Sequence, residues 1–534
     1  MLILQNIKYL HPDKELLFDH LNMTVGRQDK IALIGNNGRG KSTLLKIMAG
    51  LLPASDGELI ADSKPYYVPQ IFGQFNDWTI AQALQVEKKW NAFNEILAGN
   101  VTESNLLLLN DDWTIEERCR EALAYWQLDN YDFNQKMELL SGGQKTKVFL
   151  AGISVHRPEI VLLDEPSNHL DTAGRELLYR FIRSSACTMV IVSHDRILLN
   201  LLSEIHELNK HGITIYSGNY DSYIAQKQAK KEILNQKLST REKDLRKAKE
   251  IERKALERKQ RADSHAQKSR EKSGIPQILL NARKNSAENS ASRLKGVHTE
   301  KTENLSQEIS HLRKELPDRD KMKFGVESSS LHKGKILMTV KDMNFGYSDQ
   351  LLWKEAFNFQ IASGERIALS GSNGSGKTTF IRLLLGMLEP SCGAIERNCN
   401  KTIYIDQDYS LINNRLTVYE QAQTFNENAL QEHEIKIRLN RFLFSAAFWD
   451  KPCRLLSGGE KMRLMLCCLT IMEQSPDLIV LDEPTNNLDL QNIYILTDAM
   501  NEYRGTLIVV SHDLQFIKDL QISLFYPIFA HPNC

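Results

Sequence analysis

Apolar runs of four or five residues punctuate both ends of the chain, and each stops at a polar or glycine-rich turn. Ile31 to Ile34 (IALI) runs into GNNGRGKS and then into an apolar-periodic segment. Ile160 to Leu163 ends on Asp164 and Glu165, and TMVIV ends on SHDR. Short, continuous runs of this kind predict buried strands of a parallel sheet with helices between them. The same order of runs and turns returns after residue 331, so the chain contains a repeat. Between the copies the pattern changes. From Asp221 to about Ser269 there is no Pro or Gly, and Lys, Glu, Arg, Ala and Gln dominate, all strong helix formers. Leu234, Leu238, Leu245, Ala248 and Ala255 recur at heptad spacing. Ser273-Gly274-Ile275-Pro276 breaks that helix, and Leu305, Ile309, Leu312 and Leu316 mark a second one. The pattern predicts an α/β chain in three parts: a domain over 1–219, a helical hairpin over 220–330 and a second domain over 331–534. At 1.5 Å per residue the longer arm would reach roughly 70 Å.

The glycine-rich loop of the first copy supplies candidate chemistry. Gly35, Asn36, Asn37, Gly38, Arg39, Gly40, Lys41 and Ser42, followed by Thr43, fit the spacing G-x-x-x-x-G-K-[ST]. A phosphate chain needs several backbone N–H groups aimed at it, and glycines let the backbone wrap that closely. The helix that follows adds its positive end. Lys41 is placed to reach the β- and γ-phosphates and Ser42 to hold Mg²⁺. Ser141, Gly142, Gly143 and Gln144 open another helix, a second anion-binding helix start. Asp164 and Glu165 stand at the C-terminal end of a strand, where open parallel sheets bind ligands. Asp164 is expected to act on Mg²⁺ through water, and Glu165 to orient and deprotonate the attacking water. His194 ends the next strand, within reach of a γ-phosphate.

The second copy repeats each part. Its loop is Gly371, Ser372, Asn373, Gly374, Ser375, Gly376, Lys377 and Thr378, followed by Thr379. Gln407 matches Gln70; Ser457, Gly458, Gly459 and Glu460 match the first helix start; Asp482, Glu483 and His512 match the acidic and histidine strand ends. The first copy holds about twenty extra residues between its glutamine and its Ser-Gly-Gly, around Trp78 to Asp132. Trp90, Trp113 and Trp126 in that stretch are expected to pack.

Composition and charge narrow the class. The chain has 534 residues, a formal net charge of zero and 42% hydrophobic residues, ordinary for globular domains. No apolar run approaches a membrane span, and the N-terminus has no signal-peptide pattern. Eight cysteines without C-x-x-C spacing suit reduced thiols in a cytosolic protein and no cysteine metal site. Residues 220–330 carry 27 Lys and Arg against 17 Asp and Glu, so the rest of the chain is net acidic. That excess on a long helix is an electrostatic footprint for nucleic acid, read through phosphate and shape because no aromatic platform accompanies it.

In order, GNNGRGKS, Gln70, LSGGQ, VLLDEP, SNHLD and SHD resemble the nucleotide-binding domain of the ABC ATPase superfamily. The resemblance implies ATP with Mg²⁺, with Gln70 and Gln407 in Q-loops that contact the metal. It makes the Ser-Gly-Gly segments signatures, Asp171 and Asp489 D-loop residues, and His194 and His512 switch histidines. It further implies a monomer whose copies pair head to tail. One ATP would then meet Lys41, Glu165 and His194 with Ser457 and Gly459; the other would meet Lys377, Glu483 and His512 with Ser141 and Gly143. Adenine stacking falls to Tyr347 in the second copy and to His11 opposite it in the first. Glu460 stands where glutamine is usual, and Asn487 where the first copy has His169. Both glutamates and both histidines are present, so both sites are expected to hydrolyse ATP. With the basic linker, entered through YSGNYDSY, the chain resembles the ABC-F family, which implies a ribosome partner (rRNA and tRNA), no membrane, a cytoplasmic location, and either translation-factor or antibiotic ribosomal-protection activity. The apex, with Ile278, Leu279 and Leu280 beside Arg283 and Lys284, fits the protection branch. Two other readings are the ATP-hydrolysing component of a membrane transporter and a DNA-maintenance ATPase. The first leaves the basic hairpin unexplained; the second would bring zinc modules or far longer coiled coils.

Overall fold

The computed structural model describes the chain except residues 71–72, 130, 210–211, 271–299, 314–331, 333, 348–349, 400, 428, 487 and 530–534. The expected apex, Leu316 and Asn487 lie outside the described residues. The chain forms two compact units: Met1–Tyr223 together with Met322–Cys534, and Ile224–Lys321. The two repeats therefore share one unit.

Each repeat builds a parallel sheet beside a small antiparallel one. In the first, strands Leu16–Val25, Leu2–Leu10 and Asp56–Ala61 pair antiparallel in that spatial order. The larger sheet runs Tyr66–Val68, Ile160–Asp164, Thr188–Val192, Lys30–Ile34 and Glu204–Asn209, all parallel, with Gly212–Ser217 antiparallel at the edge. The second repeat has Phe357–Ala362, Ile336–Asn344 and Cys392–Arg397 antiparallel. Its parallel sheet runs Thr402–Ile405, Leu478–Asp482, Thr506–Val510, Arg366–Ser370 and Leu524–Pro527. The strands Ile160–Asp164, Thr188–Val192, Leu478–Asp482 and Thr506–Val510 are buried at every position. A strand covered on both faces must be apolar throughout, which is why these segments lack the alternation of a half-exposed sheet. The strand order brings three motifs to one edge. The histidine strand lies between the acidic strand and the strand that feeds the glycine-rich loop.

The extra length of the first repeat forms helices. Glu87–Leu97, Glu103–Leu109 and Ile115–Tyr125 stand where the second repeat has Glu432–Arg441 and Ala446–Trp449. Trp90 and Trp126 are buried as expected. Trp113 is not: half its surface is exposed, because it sits in the turn between two helices, where only one face meets the core.

The helix Tyr220–Arg270, 51 residues long, supplies the smaller unit from Ile224 onward, and residues 300–313 there are also helical. Ala248, Leu305 and Ile309 are buried, and Leu234, Leu238, Leu245 and Leu312 half-buried. Arg241 pairs with Glu308 at 3.1 Å and Arg313 with Glu242 at 2.7 Å. Pairs this exposed contribute under about 1 kcal/mol each, so the buried small and branched side chains hold the two segments together. The side chain of Ala255 lies outside the described residues. The long helix carries 16 Lys and Arg against 8 Asp and Glu.

Candidate nucleotide sites

The two glycine-rich loops have the same build. Gly40 and Gly376 cap the helices Lys41–Met48 and Lys377–Leu384 in the left-handed region, at φ 86° and 88°. A Cβ at Gly40 would also run into Phe18 and Leu17, so glycine is required twice over. Each loop turns through a backbone bond three residues apart, Arg39 N–H to the Asn36 carbonyl and Ser375 N–H to the Ser372 carbonyl. Lys41 Nζ donates to the Gly35 carbonyl at 2.7 Å, and Lys377 Nζ to the carbonyls of Gly371 and Ser372 at 2.9 Å. Burial pushes both ammonium groups below the usual lysine range, and nearby carboxylates offset this in part.

A hydroxyl and a carboxylate meet at each loop. Ser42 Oγ donates to Asp164 Oδ1 at 3.1 Å, and Thr378 Oγ1 to Asp482 Oδ2 at 3.0 Å. A tyrosine hydroxyl completes each cluster: Tyr67 donates to Asp164 at 3.1 Å and Tyr404 to Asp482 at 3.0 Å. The sequence reading missed both tyrosines. The signal was there, since each stands three residues before its Q-loop glutamine, but a tyrosine in an apolar strand reads as packing.

Glu165 and Glu483 are held unusually. Both are in the left-handed region, at φ 51° and 48°, a strained conformation for a glutamate. Their N–H groups donate to the Val192 and Val510 carbonyls at 2.9 and 2.8 Å, which ties each turn to the histidine strand. Their Oε2 atoms accept from the N–H of His194 and His512 at 3.3 Å. The histidine Nε2 lies 3.2 Å from Glu165 Oε1 in one copy and 3.4 Å from Glu483 Oε1 in the other. Burial pushes the Glu165 carboxyl up to about 8 and Glu483 up to about 7. The same burial holds His194 well below its ordinary value and His512 down at about 4. In each pair burial favours the protonated carboxyl and the neutral imidazole.

This has a measurable consequence for nucleotide-free protein in a chelator. A carboxyl raised above its unfolded value makes the folded state bind more protons, so stability is lost as pH rises from about 4.5 to about 8. His194 and His512 act oppositely, but only below about 6.5, the ordinary histidine value. Thermal melts should therefore show the midpoint falling between pH 6.5 and 8, and E165Q with E483Q should flatten that fall. Parallel pH profiles for the two proteins would show that the glutamates are not its source.

The helix Gly142–His156 is capped by Ser141, whose hydroxyl accepts from Gln144 N–H, while Gln144 Oε1 accepts from Ser141 N–H. Ser457 and Glu460 make the same reciprocal pair on Gly458–Ile471. The departure at Glu460 is therefore conservative for the cap.

Two cavities sit at the loops, and each is lined by both repeats. The first, of about 480 Å³, holds His11, Lys41, Ser42, Thr43, Gln70, Asp164, Glu165 and His194 from the first repeat, with Thr485, Asn486 and Leu488 from the second. Asn37 N–H donates across to Asp489 Oδ2 at 2.9 Å. The second cavity, of about 450 Å³, holds Tyr347, Lys377, Thr378, Thr379, Gln407, Asp482, Glu483 and His512, with Ser141, Gly142 and Gly143 from the first repeat. There Asn373 Nδ2 donates to the His169 carbonyl at 2.9 Å. Ser141 and Gly143 thus stand with Lys377, Glu483 and His512 around the second cavity. Ser457 and Gly459 are not among the described lining residues of the first cavity, which meets the D-loop side of the second repeat instead. Sequence symmetry does not fix this, because the cavity rims depend on how the repeats dock. Tyr347 is 69% exposed and its hydroxyl shares a hydrogen bond with Thr379 Oγ1 at 2.9 Å, so its ring stands at the cavity mouth. His11 packs edge-on against Tyr9.

Fold and sites together define a class: two P-loop nucleotide-binding cassettes on one chain. The profile of the ABC transporter family matches residues 18–168 and 355–486. The chain is 31% identical to ATP-binding protein Uup of Haemophilus influenzae, covering 96% of this chain and 76% of the relative. It is 29% identical to ABC transporter F family member 5 of Arabidopsis thaliana, over 97% of this chain and 73% of the relative. Among solved structures it resembles an RNase-L inhibitor, with a TM-score of 0.59 at 20% identity, over 99% of this chain and 91% of that one. It also resembles an archaeal ribosome recycling factor solved with a ribosomal stalk protein, with a TM-score of 0.56 at 20% identity, over 96% and 86%. The chain belongs to the ABC-F family of ATP-binding proteins, whose ABC domains imply ATPase activity. Among the described residues no helix is long and apolar enough to cross a membrane.

Proposed function

We propose that this chain is a two-site ATPase that acts on the ribosome as a translation factor, with its basic helix reading RNA through charge and shape. The observation that carries this reading is the pairing of two nucleotide cavities with a 51-residue helix bearing twice as many basic as acidic residues. A ribosome recycling factor among its structural neighbours supports it.

The donor sets fit Mg²⁺, a hard cation that takes oxygen ligands and leaves positions to substrate phosphates. Ser42 with Asp164 and Gln70, and Thr378 with Asp482 and Gln407, would hold it. Bound there, it would neutralise charge between the β- and γ-phosphates. The chain's own residues do the rest. The loop N–H groups and Lys41 or Lys377 bind the phosphates. Glu165 or Glu483, once deprotonated, accepts a proton from the attacking water, and His194 or His512 touches the γ-phosphate. Tyr347 and His11 stack on adenine.

Ribosome binding should weaken steeply with salt, because each phosphate contact releases counterions. Changing four Lys or Arg between Lys227 and Arg261 to Gln should reduce the slope of log affinity against log salt by about 3. A salt-insensitive complex would remove the helix as a phosphate reader. Pelleting with membranes rather than ribosomes would favour the transporter reading. Protection from peptidyl-transferase inhibitors is a narrower form of the proposal, tested by cell-free translation with and without the drug.

A further inference from the structure

One buried cation stands between the two nucleotide cavities. Arg175 lines the first cavity, the second, and the small one between them. It lies in the first turn of the helix Thr172–Ser184, which Asp171 caps through Gly174 N–H at 2.9 Å. Its side chain is nearly enclosed, with the whole residue 9% exposed. Nε donates to the Leu170 carbonyl at 3.2 Å, and Nη1 lies 3.4 Å from Asp195 Oδ2. Tyr179 Oη donates to that same Oδ2 at 2.6 Å.

These partners belong to different sites. Leu170, with His169, forms a wall of the second cavity. Asp195 follows the switch residue His194 of the first cavity and caps the next helix through the N–H groups of Ile197 and Leu198. Arg175 thus joins the D-loop that faces one nucleotide to the switch loop that faces the other. Across the interface it also feels Asp513 and Glu483 of the second repeat. The arrangement has no mirror image. Arg175 is four residues beyond Asp171, and the residue four beyond Asp489 is Ile493. The second repeat therefore supplies a hydrocarbon where the first supplies a charge.

A buried guanidinium is stable only where anions balance it. Here its contact with Asp195 is long for a charge-assisted bond, which ordinarily closes to about 2.8 Å, and it shares that oxygen with the closer Tyr179 hydroxyl. Phosphate bound in the second cavity would add negative charge on another side of the same cation and compete with Asp195 for it. We propose that Arg175 is a positioning residue that couples the two sites, so that nucleotide in the second cavity alters how Asp195 holds the His194 loop at the first. By linkage, nucleotide in the first must alter affinity at the second by the same factor. This rests on both cavities binding ATP.

The test uses the full chain carrying E165Q and E483Q, so that bound nucleotide is not consumed, and fluorescent mant-ATP as the probe. K41A and K377A give each site alone, and the two-site isotherm of the parent then gives the coupling factor. We expect a factor of about 5 or more. R175Q, which keeps size and polarity without charge, should bring it to within about twofold of one, and R175K should recover part of it. A purely structural ion pair would lower the melting temperature or both affinities and leave the factor unchanged in R175Q. That result, or a parent factor of one, overturns the proposal. If R175Q does not fold, R175K decides, because it keeps the charge but loses the fork that spans Leu170 and Asp195. A factor equal to the parent's in R175K then counts against it. If neither single-site variant binds mant-ATP, the two-site reading itself fails.

Discussion

Replacing Glu165 and Glu483 by glutamine together is expected to lower ATP turnover by about 10² to 10⁴-fold and leave ATP binding in place. The range is that of a positioned general base. Both side chains stand at the end of a buried strand in a left-handed turn pinned to the neighbouring strand. That strain fixes the carboxyl beside the histidine N–H rather than letting it swing to solvent. Glutamine keeps the volume and can still accept from His194 or His512 N–H, so the backbone has no reason to relax. The lysines and loop N–H groups are untouched, so affinity should change by less than about threefold. Because glutamine cannot take the proton from water, ATP should persist between the repeats. Single-turnover hydrolysis and equilibrium binding separate the two effects. Turnover close to wild type in the double variant would remove both glutamates from the chemistry.

The second large effect is expected at Gly143. A Cβ there would sit 2.6 Å from the His169 carbonyl oxygen and 3.4 Å from Asn373 Nδ2. The oxygen is backbone of the same repeat and must shift, and it is the acceptor of the Asn373 Nδ2 hydrogen bond that joins the two repeats, so a larger side chain disturbs that joint. Gly143→Val should therefore disable the second site while leaving the first repeat's own loop intact. In an E165Q background, where only the second site turns over, hydrolysis should fall by about 100-fold, comparable to losing a positioned catalytic contact. In an E483Q background the change should be far smaller. Equal losses in both backgrounds would mean that Gly143 serves the fold of its own helix rather than the facing cavity.

Much of this was legible in the sequence because the relevant signals are local. A continuous apolar run ending in acidic residues has few structural solutions, and Ile160–Asp164 and Leu478–Asp482 took the expected one. A glycine-rich loop with lysine at the helix start is likewise a backbone statement, since φ near 87° is denied to most residues. Tyr67 and Tyr404 were missed because burial and a polar bond coexist in tyrosine, and only the first shows in hydropathy. The unequal rims of the two cavities were invisible for another reason. Motif symmetry says which segments can meet, whereas docking decides which do, and it placed Ser141 and Gly143 at the second loop and Asp489 at the first. Arg175 escaped notice because a single arginine in an amphipathic helix looks like a solvated face. Its burial comes from tertiary neighbours, with Leu170 and Asp195 of its own repeat in contact and Asp513 and Glu483 of the other nearby.

The most direct test of the account is sedimentation of the E165Q and E483Q double variant with ribosomes through a sucrose cushion, with and without ATP. Persistent ATP should hold the repeats in one state, and the basic helix should then engage RNA. The variant should pellet with ribosomes in ATP, remain in the supernatant without it, and fail to pellet in ATP once K41A and K377A are added. Pelleting that ignores nucleotide, or no pelleting in ATP at moderate salt, would contradict the claim that two ATP sites gate a ribosome-binding helix.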